Sequence, residues 1–363
     1  MSHRVLMLGG KRAGKSSLLA SILYTLKYEG PSSFHCEDKT LYQAGIQDLE
    51  KKRKELETYI RRFRIIGGES LFLVDAGETI ERGVYTLRST IGNAFLDLDF
   101  IDVPGEWMTA NSEGHSDLLE EVKRTDVFLI AIDTPMLMEA PGYLSKKYNR
   151  IKAIQSVLDD GNLLNDGEKK LIVFCPIKCE KWVQQGRTND VINKIRTAYA
   201  DIINTWMVPE IDILIIPVQT AGGIEFAKQL PGKMIRRNQY TSVEEFCSVD
   251  ETSRRYLMPD GFFLEFHPNI AIREDAVRNE YPLSWFRVNS KGYRPKSCEA
   301  VTFSIIRFLV NKEIDYCSQQ KKDKKWWQIW KPPFGKYLTS FQNFIQSVEV
   351  DGEYNVFKQD HVL

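Results

Sequence analysis

Eight consecutive residues near the start of the chain carry its densest chemistry: Gly9, Gly10, Lys11, Arg12, Ala13, Gly14, Lys15 and Ser16. Their spacing fits G-x-x-x-x-G-K-[ST], in which glycines let successive backbone N–H groups turn inward around phosphate oxygens. The apolar run at 4–8 reads as a strand, and Leu18, Leu19, Ile22 and Leu26 recur at helical spacing in 17–27. That context puts the loop at a helix N-terminus, whose partial positive charge adds to the amides. Lys15 supplies a compact charge for the outer two phosphates of a nucleotide, and the Ser16 hydroxyl is suited to ligate Mg²⁺. Ser17, in the first helical turn, completes the candidate phosphate-contacting set. A glycine turn between strand and helix is common by itself; the Gly-Lys-Ser ending makes this one a phosphate cradle.

A second motif closes the apolar run at 94–103, where Asp102, Val103, Pro104 and Gly105 form D-x-x-G. This pattern resembles that of GTPases. In that family the aspartate holds Mg²⁺ through water, and the glycine amide contacts the γ-phosphate and reorders when it leaves. The resemblance implies Thr79, within Gly77, Glu78, Thr79, Ile80 and Glu81, as the switch threonine that meets Mg²⁺ and γ-phosphate. Thr86 and Thr90 fall inside an expected strand and are read as sheet residues. Glu106 stands where many small GTPases have the glutamine that orients the attacking water. A carboxylate accepts from water but cannot donate to the transferring phosphoryl group, so Glu106 alone is expected to catalyse poorly. Lys11 occupies a loop position often left as glycine, and its ammonium could offset charge near the bridging oxygen. Arg12 and Arg82 are other sources of charge within the chain, and a partner's arginine is the alternative.

Base recognition is expected from two further segments. Ile177, Lys178, Cys179 and Glu180 stand where GTPases carry N-K-x-D: the lysine stem can cover the base, and Glu180 can accept from guanine N1 and N2, while the asparagine is missing. Thr220, Ala221 and Gly222 keep the small turn of the later S-A-K position without its lysine. GTP/GDP is therefore expected, with ATP as the alternative. The motif order and an expected hairpin resemble the TRAFAC class, and Ile177–Trp182 together with Asp102–Trp107 resemble the divergent double-GTPase group of bacterial conflict systems. The resemblance spans 1–222 and 298–317. It implies a nucleotide switch acting with a protein effector or regulator, with anti-phage defence as one setting and a homodimer across the nucleotide face as another expectation. A separate reading is an interaction module in which bound nucleotide is structural.

The elements that must position these residues alternate between strand and helix, which predicts an α/β chain with a three-layer P-loop NTPase fold. A mostly parallel sheet of about six strands with one antiparallel edge strand follows. Residues 85–91 and 94–103 are joined by Gly92 and Asn93 as a hairpin. Further strands are expected at 126–133, 170–175 and 211–218, and helices at 143–158 and 189–206. In 37–64, Leu41, Ile46, Leu49, Leu56 and Ile60 share a face, giving one long amphipathic helix or a hairpin of two that packs on the domain or docks a partner. The expected organisation is a GTPase domain over 1–222, an insertion with short strands over 223–296, a closing helix over 297–319 and a tail over 320–363. In that tail Lys321, Lys322, Lys324 and Lys325 precede Trp326, Trp327 and Trp330, a composition suited to peripheral membrane contact, a partner groove or packing on the protein's own surface.

Composition narrows the classes. At 363 residues, with 43% hydrophobic and 27% charged, the chain can bury a large core in one large domain or two unequal ones. Lys plus Arg equals Asp plus Glu at 49 each, so no global charge argues for nucleic acid or an anionic membrane. The cysteines, at 36, 175, 179, 247, 298 and 317, are scattered as reduced thiols, and no histidine joins them at zinc spacing. No run approaches the roughly 20 apolar residues of a spanning helix, and none has signal-peptide character. A cytoplasmic protein is expected.

Overall fold

The computed structural model describes residues 2–10, 13–29, 34–39, 54, 57–58, 69–71, 81–89, 95–139, 142–164, 167–231, 233–236, 254–257, 262–266, 282–288, 293–322, 339 and 355–357. In chain order the strands are β1 (Ser2–Leu8), β2 (Phe34–Asp38), β3 (Glu69–Leu71), β4 (Glu81–Ser89), β5 (Phe95–Asp102), β6 (Val127–Asp133), β7 (Lys170–Ile177) and β8 (Ile211–Ile215). They continue as β9 (Ile224–Pro231), β10 (Lys233–Arg236), β11 (Arg254–Leu257), β12 (Phe262–Phe266), β13 (Pro282–Val288) and β14 (Asn355–Phe357).

Continuous apolar sequence dictates the centre. Every residue of β6 and β7 is buried, because helices cover both faces of a parallel strand. These strands and β8, β1 and β5 pair in parallel, in the order β8-β7-β6-β1-β5. β4 runs antiparallel to β5, as the expected hairpin requires, and β2 antiparallel to β4; Gly92 and Asn93 lie outside the described residues. At the other edge β14 pairs antiparallel with β8, so among the described residues the sheet has eight strands where about six were expected.

Helices complete three layers, as expected of a P-loop NTPase fold. On one face Leu18, Leu19 and Ile22 of the helix Lys15–Tyr24 pack with Val301, Ile305 and Leu309 of the helix Cys298–Lys322. On the other, Leu118 and Val122 of His115–Lys123 meet Ile154, Val157 and Leu158 of Ile151–Asp160, with Ile195 of Thr188–Ala198 and Ile202 of Ala200–Trp206 further along. At the N-terminal end of the sheet, buried His3 hydrogen-bonds Glu313 at 2.8 Å and lies 3.4 Å from Asp126, which also receives Lys312. This cluster fastens the closing helix to β1 and β6.

One sequence expectation changes at its edge. Glu37 and Asp38 belong to β2, not to a helix; of the rest of the 37–64 stretch, apart from Lys39, only Lys54, Glu57 and Thr58 are described, and they are helical. The stretch at 223–296 holds two small sheets, β10-β12-β11 and β3-β13-β9, the second including β3 from well before it in sequence. The tail tryptophans and Cys247 lie outside the described residues. The five described cysteines are free thiols, and among the described residues no helix is long and apolar enough to cross a membrane.

Candidate functional site

Because β1 lies between β5 and β6, its glycine loop emerges at the centre of the sheet's C-terminal edge, where ligands of open α/β sheets bind. The neighbours press close enough to require glycine. A Cβ on Gly10 would stand 1.8 Å from the Tyr148 carbonyl oxygen, and one on Gly9 2.8 Å from that of Ala131. Gly14, at φ +105°, caps the helix Lys15–Tyr24 with left-handed backbone. The loop is closed by Ala13 N–H donating to the Gly10 carbonyl at 3.1 Å and Leu18 N–H to that of Gly14 at 3.0 Å. Among the described residues no side chain caps this helix and no acid sits in its first turn, so its positive end suits an anion. Lys11 and Arg12 lie outside the described residues, as does Thr79.

The register of β1 against β5 sets Met7 beside Asp102. Ser16 follows Lys15 on the first helical turn, and its Oγ donates to Asp102 Oδ2 at 2.8 Å; Lys15 Nζ is 3.9 Å from Oδ1. Lys15 is 9% and Asp102 4% exposed, so both charges are held largely out of water. Two hard oxygen donors a hydrogen bond apart fit Mg²⁺, which takes few protein ligands and fills its octahedron with water and phosphate. The D-x-x-G motif continues as the 3₁₀ turn Gly105–Met108, with Glu106 half-buried in it. The turn is braced behind: a Cβ on Gly114 would fall 2.0 Å from the Trp107 ring, and His115 Nδ1 lies 2.9 Å from the Trp107 carbonyl.

Sequence reasoning missed Arg150. Its Nη1 donates to the Gly105 carbonyl at 3.1 Å and to Thr109 Oγ1 at 3.0 Å. Nothing in its spacing marked it, since it sits between two helices, Gly142–Asn149 and Ile151–Asp160, far from both motifs. Arg82, an expected source of catalytic charge, is instead committed to Asp99 through two hydrogen bonds, one of them 2.7 Å; those bonds, against some desolvation, raise its pKa.

Across the loop, Lys178 has left-handed backbone (φ +57°) and reaches Asp133 at the end of β6. Its Cε comes within 3.6 Å of where a Gly14 Cβ would stand, so the lysine stem lines the phosphate loop. Glu180 opens the helix Glu180–Gln184 and is 2% exposed. Burial pushes its carboxyl up to about 7, opposed by hydrogen bonds from its own amide and those of Ala221 and Gly222, and by Lys178. The structure thus brings Lys178, Glu180, Ala221 and Gly222 together. The neighbouring Thr220 carbonyl instead faces the helix Lys15–Tyr24, accepting from Ser21 Oγ at 2.8 Å. Residues 293–296 back the same loop: Arg294 N–H donates to the Ala221 carbonyl at 3.1 Å, Gln219 bridges Lys296, and a Cβ on Gly222 would fall 1.5 Å from the Arg294 carbonyl oxygen.

No protein-family model matches the chain, and no curated protein does. Among solved structures it is similar to the S. cerevisiae Ski7 GTPase-like domain bound to GTP, at 16% identity and a TM-score of 0.33, over 60% of this chain and 43% of that one. It is also similar to the signal recognition particle receptor SRb-GTP/SRX complex from Chaetomium thermophilum, at 10% identity and a TM-score of 0.32, over 61% of this chain and 92% of that one. At such scores neither likeness bears on the chemistry, which rests on the geometry of the loop, Asp102 and the Glu180–Ala221 contact.

Proposed function

We propose that the chain binds guanosine triphosphate and hydrolyses it with Mg²⁺ as a switch acting on protein partners. The observation that carries this reading is the convergence of Lys15 and Ser16 on Asp102 beneath the glycine loop. In it, the amides of Gly9 to Ser16 hold the phosphates and Lys15 pairs with the outer two. Ser16 and Asp102 would hold Mg²⁺, which when bound would neutralise phosphate charge. Thr79 and the Gly105 amide report the outer phosphate, and Glu106 accepts from the attacking water. Lys178 covers the base, Glu180 accepts from its N1 and N2 donors, and the Ala221 turn faces its edge. Membership of the TRAFAC class and its double-GTPase group, with an anti-phage setting and a cytoplasmic location, extends the reading from the Asp102–Trp107 and Ile177–Trp182 segments.

The test is competitive displacement of a fluorescent GDP analogue from the purified chain, followed by single-turnover hydrolysis. GTP and GDP should displace it far better than ATP and ADP. Lys15→Ala should weaken binding about 100-fold, as expected for losing a charge-assisted bond worth about 3 kcal/mol. Equal displacement by ATP would move the protein to the adenine alternative, and binding without turnover would leave an interaction module.

A further inference from the structure

Arg150 is placed with more constraint than a surface arginine needs. Its backbone is left-handed at φ +49° and ψ 41°, a region that a bulky residue occupies only when its surroundings over-determine it. The constraint comes from the two residues that precede it. Asn149 is fully buried, and its carboxamide accepts from the Asp133 N–H at 2.8 Å and donates to the Asp133 carbonyl at 3.3 Å, pinning the chain to the tip of β6. Tyr148 sets its carbonyl against Gly10 so closely that no side chain fits there. The Arg150 carbonyl in turn accepts from Ile154 N–H at 3.0 Å, starting the next helix.

From this fixed base the side chain joins the two loops that face the phosphates. Its Cγ lies 3.8 Å from where a Gly10 Cβ would stand. Its Nη1 grips the Gly105 carbonyl and the Thr109 hydroxyl, on either side of the turn Gly105–Met108. Holding the Gly105 carbonyl fixes the plane of the Gly105–Glu106 peptide, and with it the aim of the Glu106 amide and the start of the Glu106 side chain; the Gly105 amide, in the preceding peptide, is restrained through the one Cα between them. Both bonds leave the same nitrogen, Nη1, whose two N–H groups serve the two acceptors.

We infer that Arg150 is a positioning residue that latches the D-x-x-G turn to the phosphate loop, and so makes affinity depend on the outer phosphate. The inference rests on the proposed reading only for the ligand's identity. With the latch gone the turn has to be ordered anew for each triphosphate bound, whereas a diphosphate makes no demand on it.

The test uses the full chain and two probes, fluorescent GDP and a non-hydrolysable fluorescent GTP analogue. Arg150→Ala should lose affinity for the triphosphate by about tenfold or more while diphosphate affinity stays within about twofold. Arg150→Lys should restore part of the difference. Equal loss for both probes, or early thermal unfolding of both variants, would show a merely structural role and overturn the latch. So would a fall in hydrolysis rate with the affinity ratio unchanged, which would make Arg150 a cation acting on the chemistry. If the parent binds no guanine nucleotide, the base reading falls, and the same comparison with ADP and the ATP analogue still decides the latch; binding of neither overturns both.

Discussion

Under the proposed reading, Glu180 should make guanine affinity a function of pH. Its carboxyl is buried against the amides of Ala221 and Gly222 with a pKa pushed up to about 7, so it is half-protonated near neutrality. Guanine presents two N–H donors at N1 and N2, which only the ionised carboxylate can accept as a pair. A group with a pKa of about 7 is about nine-tenths ionised at pH 8 and about one-tenth at pH 6, so GDP affinity should fall about tenfold between them. Binding at pH 7 should release about half a proton. Calorimetric titration in buffers of different ionisation enthalpy measures both. ADP should show neither effect, and Glu180→Gln should flatten the GDP profile. A parent profile flat in pH, or one unchanged in Glu180→Gln, would refute the assignment of Glu180 to the base. Without nucleotide the same group acts on stability with a definite sign. Its folded pKa lies above the ordinary 4.5, so its contribution is full below that value and is lost as pH rises through about 7, a difference of roughly 3 kcal/mol.

Two further outcomes follow from packing. Gly10→Ala should lower stability by about 3 kcal/mol in denaturant unfolding, because its Cβ would meet the Tyr148 backbone; Gly167→Ala, at φ +64° with nothing within 4 Å, should lose only about 1 kcal/mol, from backbone strain. His3→Gln should cost about 3 kcal/mol at mildly acidic pH by removing a buried ion-pair partner. Burial opposes charge on His3, but the bonds and charges of Asp126 and Glu313 outweigh it and raise its pKa above 6.5. Its stabilisation is therefore full below 6.5 and lost as pH rises through the raised value, so the gap from the parent should close with increasing pH.

The parts legible in sequence were those whose signal is local. β6 and β7 announce themselves as unbroken apolar runs, and the turn dipeptide Gly92–Asn93, itself outside the described residues, pointed to the antiparallel pairing of β4 with β5. The phosphate loop is written in consecutive residues, and Asp102 follows from the strand that carries it. What stayed hidden depends on contacts between distant segments. β2 and β14 are short, and β2 (FHCED) is half charged, so neither carries a period to read; they are strands because β4 and β8 offer them backbone partners. The pairing of β3 with β13 has no trace in either segment. Arg150 belongs to the site through an asparagine's grip on β6, and residues 293–296 through a backbone bridge to Gln219.

That bridge changes what an excursion of the chain can do. Beyond Gly222 the chain stays in the core through Ile224, Phe226 and Phe286, and the Gln219–Lys296 pair, the Arg294–Ala221 bond and the β9–β13 pairing hold its outgoing and returning strands side by side. Closing a flexible loop between adjacent points costs free energy that grows only as the logarithm of its length, about 0.6 kcal/mol per doubling. The seam therefore works as a port: the chain between Pro231 and Pro282, whose ends β9 and β13 hold opposite each other, can lengthen, shorten or be exchanged at small thermodynamic penalty, while the Ala221 turn beside Glu180 stays braced.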